Sequence, residues 1–181
     1  MAKSMKKGFL NILSYTRELV LTCNFLTVLY LRSFHIVYFT LTAATTVISA
    51  KILKRIIKQA RPPPRVTASG KTQKQKKSYG MPSSHSSAIF FLNTYLQCLF
   101  NAAFTWQNIC ILVFFHGFAI SVVWSRVRLG HHTESQVIAG SLFGFSCALV
   151  AFYLWKNYFS AFDLDGHIDG VFTHVLQLRT R

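Results

Sequence analysis

Four stretches of this chain are too apolar and too long to read as ordinary core helices. They cover residues 36–57, 86–104, 108–124 and 134–155. An α-helix needs about 20 residues to cross ~30 Å of hydrocarbon, and each stretch meets or approaches that length. Residues 111–123 are apolar on every side, where a helix on a soluble bundle would be amphipathic. A fifth stretch, residues 9–31, is interrupted by Arg17 and Glu18, so its first half reads as interfacial. The expected fold is all-α, a polytopic transmembrane helical bundle of four to five spanning helices. It occupies residues 1–158, and 159–181 form a polar tail.

The charge balance narrows the chemistry. Only 14% of residues are charged, against ~25% in soluble proteins. Lys and Arg number 20, Asp and Glu only 5, for a formal charge of +15. No acid stands between Glu18 and Glu134. A hydrolase that works through two metal ions needs several carboxylates around them, and the middle of this chain has none. The expectation is a site without metal or cofactor. A soluble nucleic-acid binder would not need so much Phe and Leu, so the basic residues are read as serving the bilayer and an anionic ligand, not nucleic acid.

The unusual polar residues fall at particular helix ends. Lys54 and Arg61 lie at the end of the 36–57 stretch. Ser83, Ser84 and His85 open the next helix. Ser125, Arg126 and Arg128 follow the third, and His131 and His132 precede the fourth. With alternating helix directions, all four groups reach one membrane face. Guanidinium groups match phosphate bidentately, and Lys adds a point charge. A helix N-terminus offers free N–H groups to an anion. Two histidines from separate segments then supply a nucleophile and an acid. Taken singly, each cation also reads as a snorkelling or positive-inside residue, and Ser83–His85 as a helix cap. Taken together, they read as a phosphoryl-transfer site.

Three motifs in this order resemble the type 2 phosphatidic acid phosphatase superfamily: Lys54-x6-Arg61-Pro62, Pro82-Ser83-Ser84-His85, and Ser125-Arg126-x5-His132. With their helices they cover roughly residues 36–155. The resemblance implies a phosphohistidine mechanism in which His132 attacks phosphorus in line and His85 protonates the leaving oxygen. Lys54, Arg61, Ser83, Ser84 and Arg126 would bind the phosphoryl oxygens. The family usually has an Asp four residues after the nucleophilic His; here that position is Gln136. An amide can accept a hydrogen bond from the imidazole and fix its tautomer, although it cannot stabilise an imidazolium as a carboxylate does.

That glutamine is shared with the dolichyl diphosphatases. They are similar in Gly80-Met81-Pro82-Ser83-Ser84-His85 and in His132-Thr133-Glu134-Ser135-Gln136-Val137. The chain departs from them in its shortness and in having Arg128 and His131 where tyrosines are often found. The resemblance implies cleavage of dolichyl diphosphate to dolichyl phosphate and phosphate, in the endoplasmic reticulum membrane, with a lumenal site that recycles the glycosyl carrier for N-glycosylation. The alternatives are a broader lipid phosphatase acting on phosphatidate, sphingoid phosphate or prenyl diphosphate, and a catalytically silent anionic-lipid binder. The cation count opposes the lumenal expectation. Lys3, Lys6, Lys7, nine cations from Lys54 to Lys77, Arg126 and Arg128 share the active face, against Arg32, Lys156, Arg179 and Arg181 on the other. The positive-inside rule alone would place the denser face in the cytosol.

Overall fold

The computed structural model describes residues 33–63, 78–100 and 105–161, together with 22, 26–28, 30 and 31. Residues 9–31 as a span, the lysine-rich loop at 71–77 and most of the tail lie outside the described residues. Four α-helices follow in order: α1 (Phe34–Ile57), α2 (Ser84–Phe100), α3 (Trp106–Arg128) and α4 (Glu134–Leu154). One π-helical turn, Trp155–Phe159, continues α4. No strand occurs among the described residues.

α1, α3 and α4 with its continuation are long and apolar enough to cross a membrane. α2 has 17 described residues, roughly 25 Å at 1.5 Å per residue; the last four positions of the expected 86–104 lie outside the described residues. α1 ends with the apolar stretch 36–57, five residues before Pro62. The helix stops at Ile57, and Lys58 turns into the left-handed region (φ 53°), with its N–H on the Lys54 carbonyl. Arg61 therefore stands in a non-helical segment rather than on the helix.

The bundle is apolar outside and partly polar inside. Ile48, Val113, Phe114, Leu142 and Val150 are exposed, while Ser86, Ser87, Asn93, Thr94 and Ser125 are buried. That is the distribution a bilayer selects, because lipid solvates apolar side chains and leaves polar groups to be satisfied within the protein. The threonines of α1 do this locally: Thr40, Thr42, Thr45 and Thr46 each donate to the carbonyl four residues earlier.

α2 is the central helix, packed on α1, α3 and most extensively α4. Against α3 it buries Ile89 with Ala119 and Val122; against α4 it buries Phe91 and Tyr95 with Ala148 and Ala151. Gly140 and Gly144 let the two backbones approach. A Cβ at Gly140 would meet the Ser83 backbone, and one at Gly144 the Ser87 backbone. Small residues four apart are the usual means of close helix contact in membranes. Here they fix the start of α2 against the start of α4.

The end of the bundle remote from those two helix starts is aromatic. His35 stacks on Trp155 (centroids 4.1 Å, 11°) and its Nε2 lies 3.0 Å from the Tyr95 hydroxyl. Tyr38 donates to the Ala151 carbonyl. Ring residues of this kind suit a membrane–water boundary.

Candidate active site

Three connecting segments meet where α2 and α4 begin. The first leaves α1: the Gly80 N–H donates to the Gln59 carbonyl at 2.8 Å. The second enters α2: the Ser83 N–H donates to the Gln136 carbonyl at 3.0 Å. The third joins α3 to α4 in a tight turn. The Leu129 N–H returns to Ser125, and the His131 and His132 N–H groups return to Arg126. Gly130 adopts φ 69° there, a conformation that favours glycine. This turn brings His132 back beside Arg126 although six positions separate them.

α4 opens with a capping box. The Gln136 N–H donates to Thr133 Oγ1, and the Thr133 N–H donates to Gln136 Oε1. The Gln136 amide has two further partners. Its Nε2 donates to the Ala60 carbonyl at 2.7 Å, and its Oε1 lies 3.2 Å from His132 Nδ1. A carbonyl can only accept, so Nε2 must face Ala60. The Oε1 then faces His132, whose Nδ1 carries the proton and donates. The lone pair is left on Nε2.

His132 Nε2 lies 3.3 Å from Arg61 Nη1. The Arg61 guanidinium is itself anchored by three donations, to the Ser78 carbonyl, the Ser78 hydroxyl and the His131 carbonyl. Burial pushes the His132 imidazole down to about 3, and the positive charges of Arg61 and Lys54 push the same way. The ring is neutral at any ordinary pH, with Nε2 unprotonated.

A cavity of about 450 Å³ opens over this imidazole. Six of the residues singled out by sequence line it: Lys54, Arg61, Ser84, His85, Arg126 and His132. They come from α1, α2, α3 and the connecting segments. Gln136 is fully buried behind His132. Ser83 does not line the cavity. It is fully buried and its Oγ accepts from the Ser86 hydroxyl at 3.0 Å and from the Ser86 N–H at 3.4 Å, so its side chain caps α2. Lys51, Arg55, Ser78, Tyr79 and His131 also line the cavity, and sequence reasoning gave the first four no place in the site. The available signal was helical spacing: Lys51 and Arg55 stand three before and one after Lys54.

The lining therefore combines five cationic residues, no acid among its described members, the first residues of α2, and a neutral imidazole whose Nε2 lone pair lies beside the Arg61 guanidinium. Such an array can bind a phosphoryl group and attack it. The model of the PAP2 superfamily matches residues 35–160. The chain belongs to the PAP2 superfamily. It is 32% identical over 116 residues to dolichyldiphosphatase 1 of Dictyostelium discoideum, covering 59% of this chain and 48% of that protein. It is also 32% identical over 117 residues to a probable sphingosine-1-phosphate phosphatase of the same organism, covering 61% and 28%. Lipid phosphate phosphatase gamma of Arabidopsis thaliana is 38% identical over 72 residues, 37% of this chain and 32% of that one. The chain thus spans less than half the length of these curated relatives. Among solved structures it resembles a transmembrane PAP2 type phosphatidylglycerolphosphate phosphatase from Bacillus subtilis. The TM-score is 0.64 at 18% identity, over 86% of this chain and 77% of that one. At that identity the likeness speaks for the PAP2 fold.

Proposed function

We propose that this chain is an integral membrane lipid phosphatase that cleaves dolichyl diphosphate to dolichyl phosphate and phosphate through a phosphohistidine at His132. The observation that carries the reading is the fixed tautomer of His132, neutral and with Nε2 beside Arg61 in a cavity lined by cations. Nε2 attacks the terminal phosphorus as the bond to the bridging oxygen breaks. His85 protonates that oxygen as it leaves with the lipid. Water then attacks the phosphohistidine, releasing phosphate and regenerating the imidazole. Lys54, Arg61 and Arg126, with the Ser84 hydroxyl at the start of α2, hold the phosphoryl oxygens. Their fixed charge is worth most in the transition state.

The choice of a polyprenyl diphosphate is supported by the likeness to dolichyldiphosphatase 1 and by the Gln136 shared in the motif. On this reading the protein works in the endoplasmic reticulum membrane, with the cavity facing the lumen. A glycosylation tag in the 66–78 loop tests that orientation: modification supports it, and an unmodified tag in a correctly inserted protein contradicts it. The second reading, a lipid phosphatase of broader range, is supported by comparable identity to the probable sphingosine-1-phosphate phosphatase.

Phosphate release from dolichyl diphosphate and phosphatidate at equal surface concentration separates the two. Chelator is present throughout and His132→Ala is the blank. Strong preference for the diphosphate is expected. Equal or reversed preference would favour the broader phosphatase, and activity abolished by chelator would contradict the phosphohistidine route.

A further inference from the structure

Lys51 and Arg55 lie outside the three motifs, yet both line the cavity that holds His132. They stand four apart on α1, which puts them on one face of the helix. Lys54, three residues after Lys51, is buried, whereas Lys51 and Arg55 are exposed. α1 ends at Ile57, close to the segment that carries Arg61. Along the helix axis Lys51 is set back from Lys54 by about 4.5 Å, at 1.5 Å per residue, toward the middle of the bilayer, while Arg55 stands about 1.5 Å beyond Lys54 toward the helix end. A lysine set back inside an apolar span is costly without a task, and Arg55 in the last turn of α1 adds a second charge to the same cavity.

The charge count points the same way. Five cationic residues line one cavity, with no acid among its described lining. A single phosphate monoester carries about two negative charges, which Lys54, Arg61 and Arg126 already match. A diphosphate ester carries more charge and a second set of oxygens. We infer that Lys51 and Arg55, one on either side of Lys54 along α1, form a second phosphate subsite beside the first that binds the lipid-linked phosphate of a diphosphate substrate. This rests on the phosphatase reading above and adds a basis for selecting diphosphates over monophosphates.

The subsite acts in the first chemical step. When the bond between the terminal phosphorus and the bridging oxygen breaks, the electron pair stays with that oxygen. It becomes one oxygen of the departing lipid monophosphate. Lys51 and Arg55 would hold this leaving phosphate and offset the charge developing on it until that oxygen takes the proton from His85. The terminal phosphorus, meanwhile, stays with His132 Nε2.

The test compares a polyprenyl diphosphate with the monophosphate of the same tail, using the full chain and the double variant Lys51→Gln/Arg55→Gln. The ratio of kcat/KM for diphosphate over monophosphate should fall about tenfold or more, as expected for losing charge-assisted hydrogen bonds. The charge-keeping pair Lys51→Arg/Arg55→Lys should restore most of it. A ratio within twofold of wild type would overturn the subsite. Binding to the wild-type protein, measured by calorimetry in detergent, guards against a variant that fails to fold. Methylenediphosphonate should bind at least about tenfold more tightly than inorganic phosphate, and equal binding would overturn the proposal. If wild type bound methylenediphosphonate with this preference but hydrolysed neither lipid, the subsite would stand and the phosphatase reading would fall.

Discussion

Gln136 can hold His132 because its own amide is already committed: Nε2 donates to the Ala60 carbonyl at 2.7 Å while Oε1 accepts from His132 Nδ1 at 3.2 Å. Turning the amide over would set Oε1 against the Ala60 carbonyl. The residue thus ties the segment after α1 to the imidazole. A carboxylate at this position would have no hydrogen to give Ala60. Gln136→Leu should lower kcat by about 10–100-fold, the range seen when outer partners of metal-bound histidines are removed, with KM little changed. Gln136→Glu should keep the Nδ1 contact and raise the imidazole's affinity for a proton, moving the acid limb of the pH–rate profile upward. A Gln136→Leu enzyme with wild-type kcat would refute the positioning role.

Gly80 belongs to the same unit. A Cβ there would collide with the Gln136 amide group, which is fully buried and has little room to retreat. Gly80→Ala should therefore depress kcat as Gln136→Leu does. The two changes should not add in the double variant, because both act through one amide. Steady-state kinetics of the four proteins measures this directly; additive losses would mean that Gly80 acts elsewhere.

His132 links the site to acid stability. Its folded-state proton affinity is depressed to about 3, against about 6.5 in the unfolded chain. Between those values the unfolded state binds more protons, so stability is fully present above about pH 6.5 and is lost as pH falls toward 3. The slope for one such group is at most about 1.4 kcal/mol per pH unit. Thermal unfolding in detergent should fall more steeply from pH 6.5 to 4 in wild type than in His132→Ala. Parallel curves would show that the imidazole is not held neutral.

The α2–α4 crossing sets the distance between the two helix starts. Gly144→Ala places a methyl group against the Ser87 backbone, which cannot yield as a flexible side chain would. Overpacking of this kind costs about 1–3 kcal/mol, and the shift it forces should also displace the start of α2 from His132. Lower melting temperature together with lower kcat is expected. A melting temperature equal to wild type would contradict the close approach.

Much of this was written in the sequence, and the exceptions have physical causes. Lys54, Arg61, Ser84, His85, Arg126 and His132 were legible because the chemistry of phosphate binding restricts residue type, and helix alternation gathers them on one face. The end of α1 at Ile57 follows from the apolar stretch 36–57, whereas the left-handed turn at Lys58 that closes it leaves no signature in a lysine. Ser83 was assigned to phosphate because a cap and an anion site use the same hydroxyl. The Gln136–Ala60 bond joins residues 76 apart, and nothing local announces it. Arg55 was counted only among the cations of the active face and Lys51 not at all; the cavity lining includes both and leaves out Lys58.

The central claim is that His132 carries the phosphoryl group during turnover. The most direct measurement is rapid quench of the enzyme with dolichyl diphosphate labelled in its terminal phosphate, followed by peptide mapping under alkaline conditions. Acid-labile label on the peptide containing His132, absent from His132→Ala, is the predicted result. Sustained turnover by His132→Ala, or label on another residue, would contradict it.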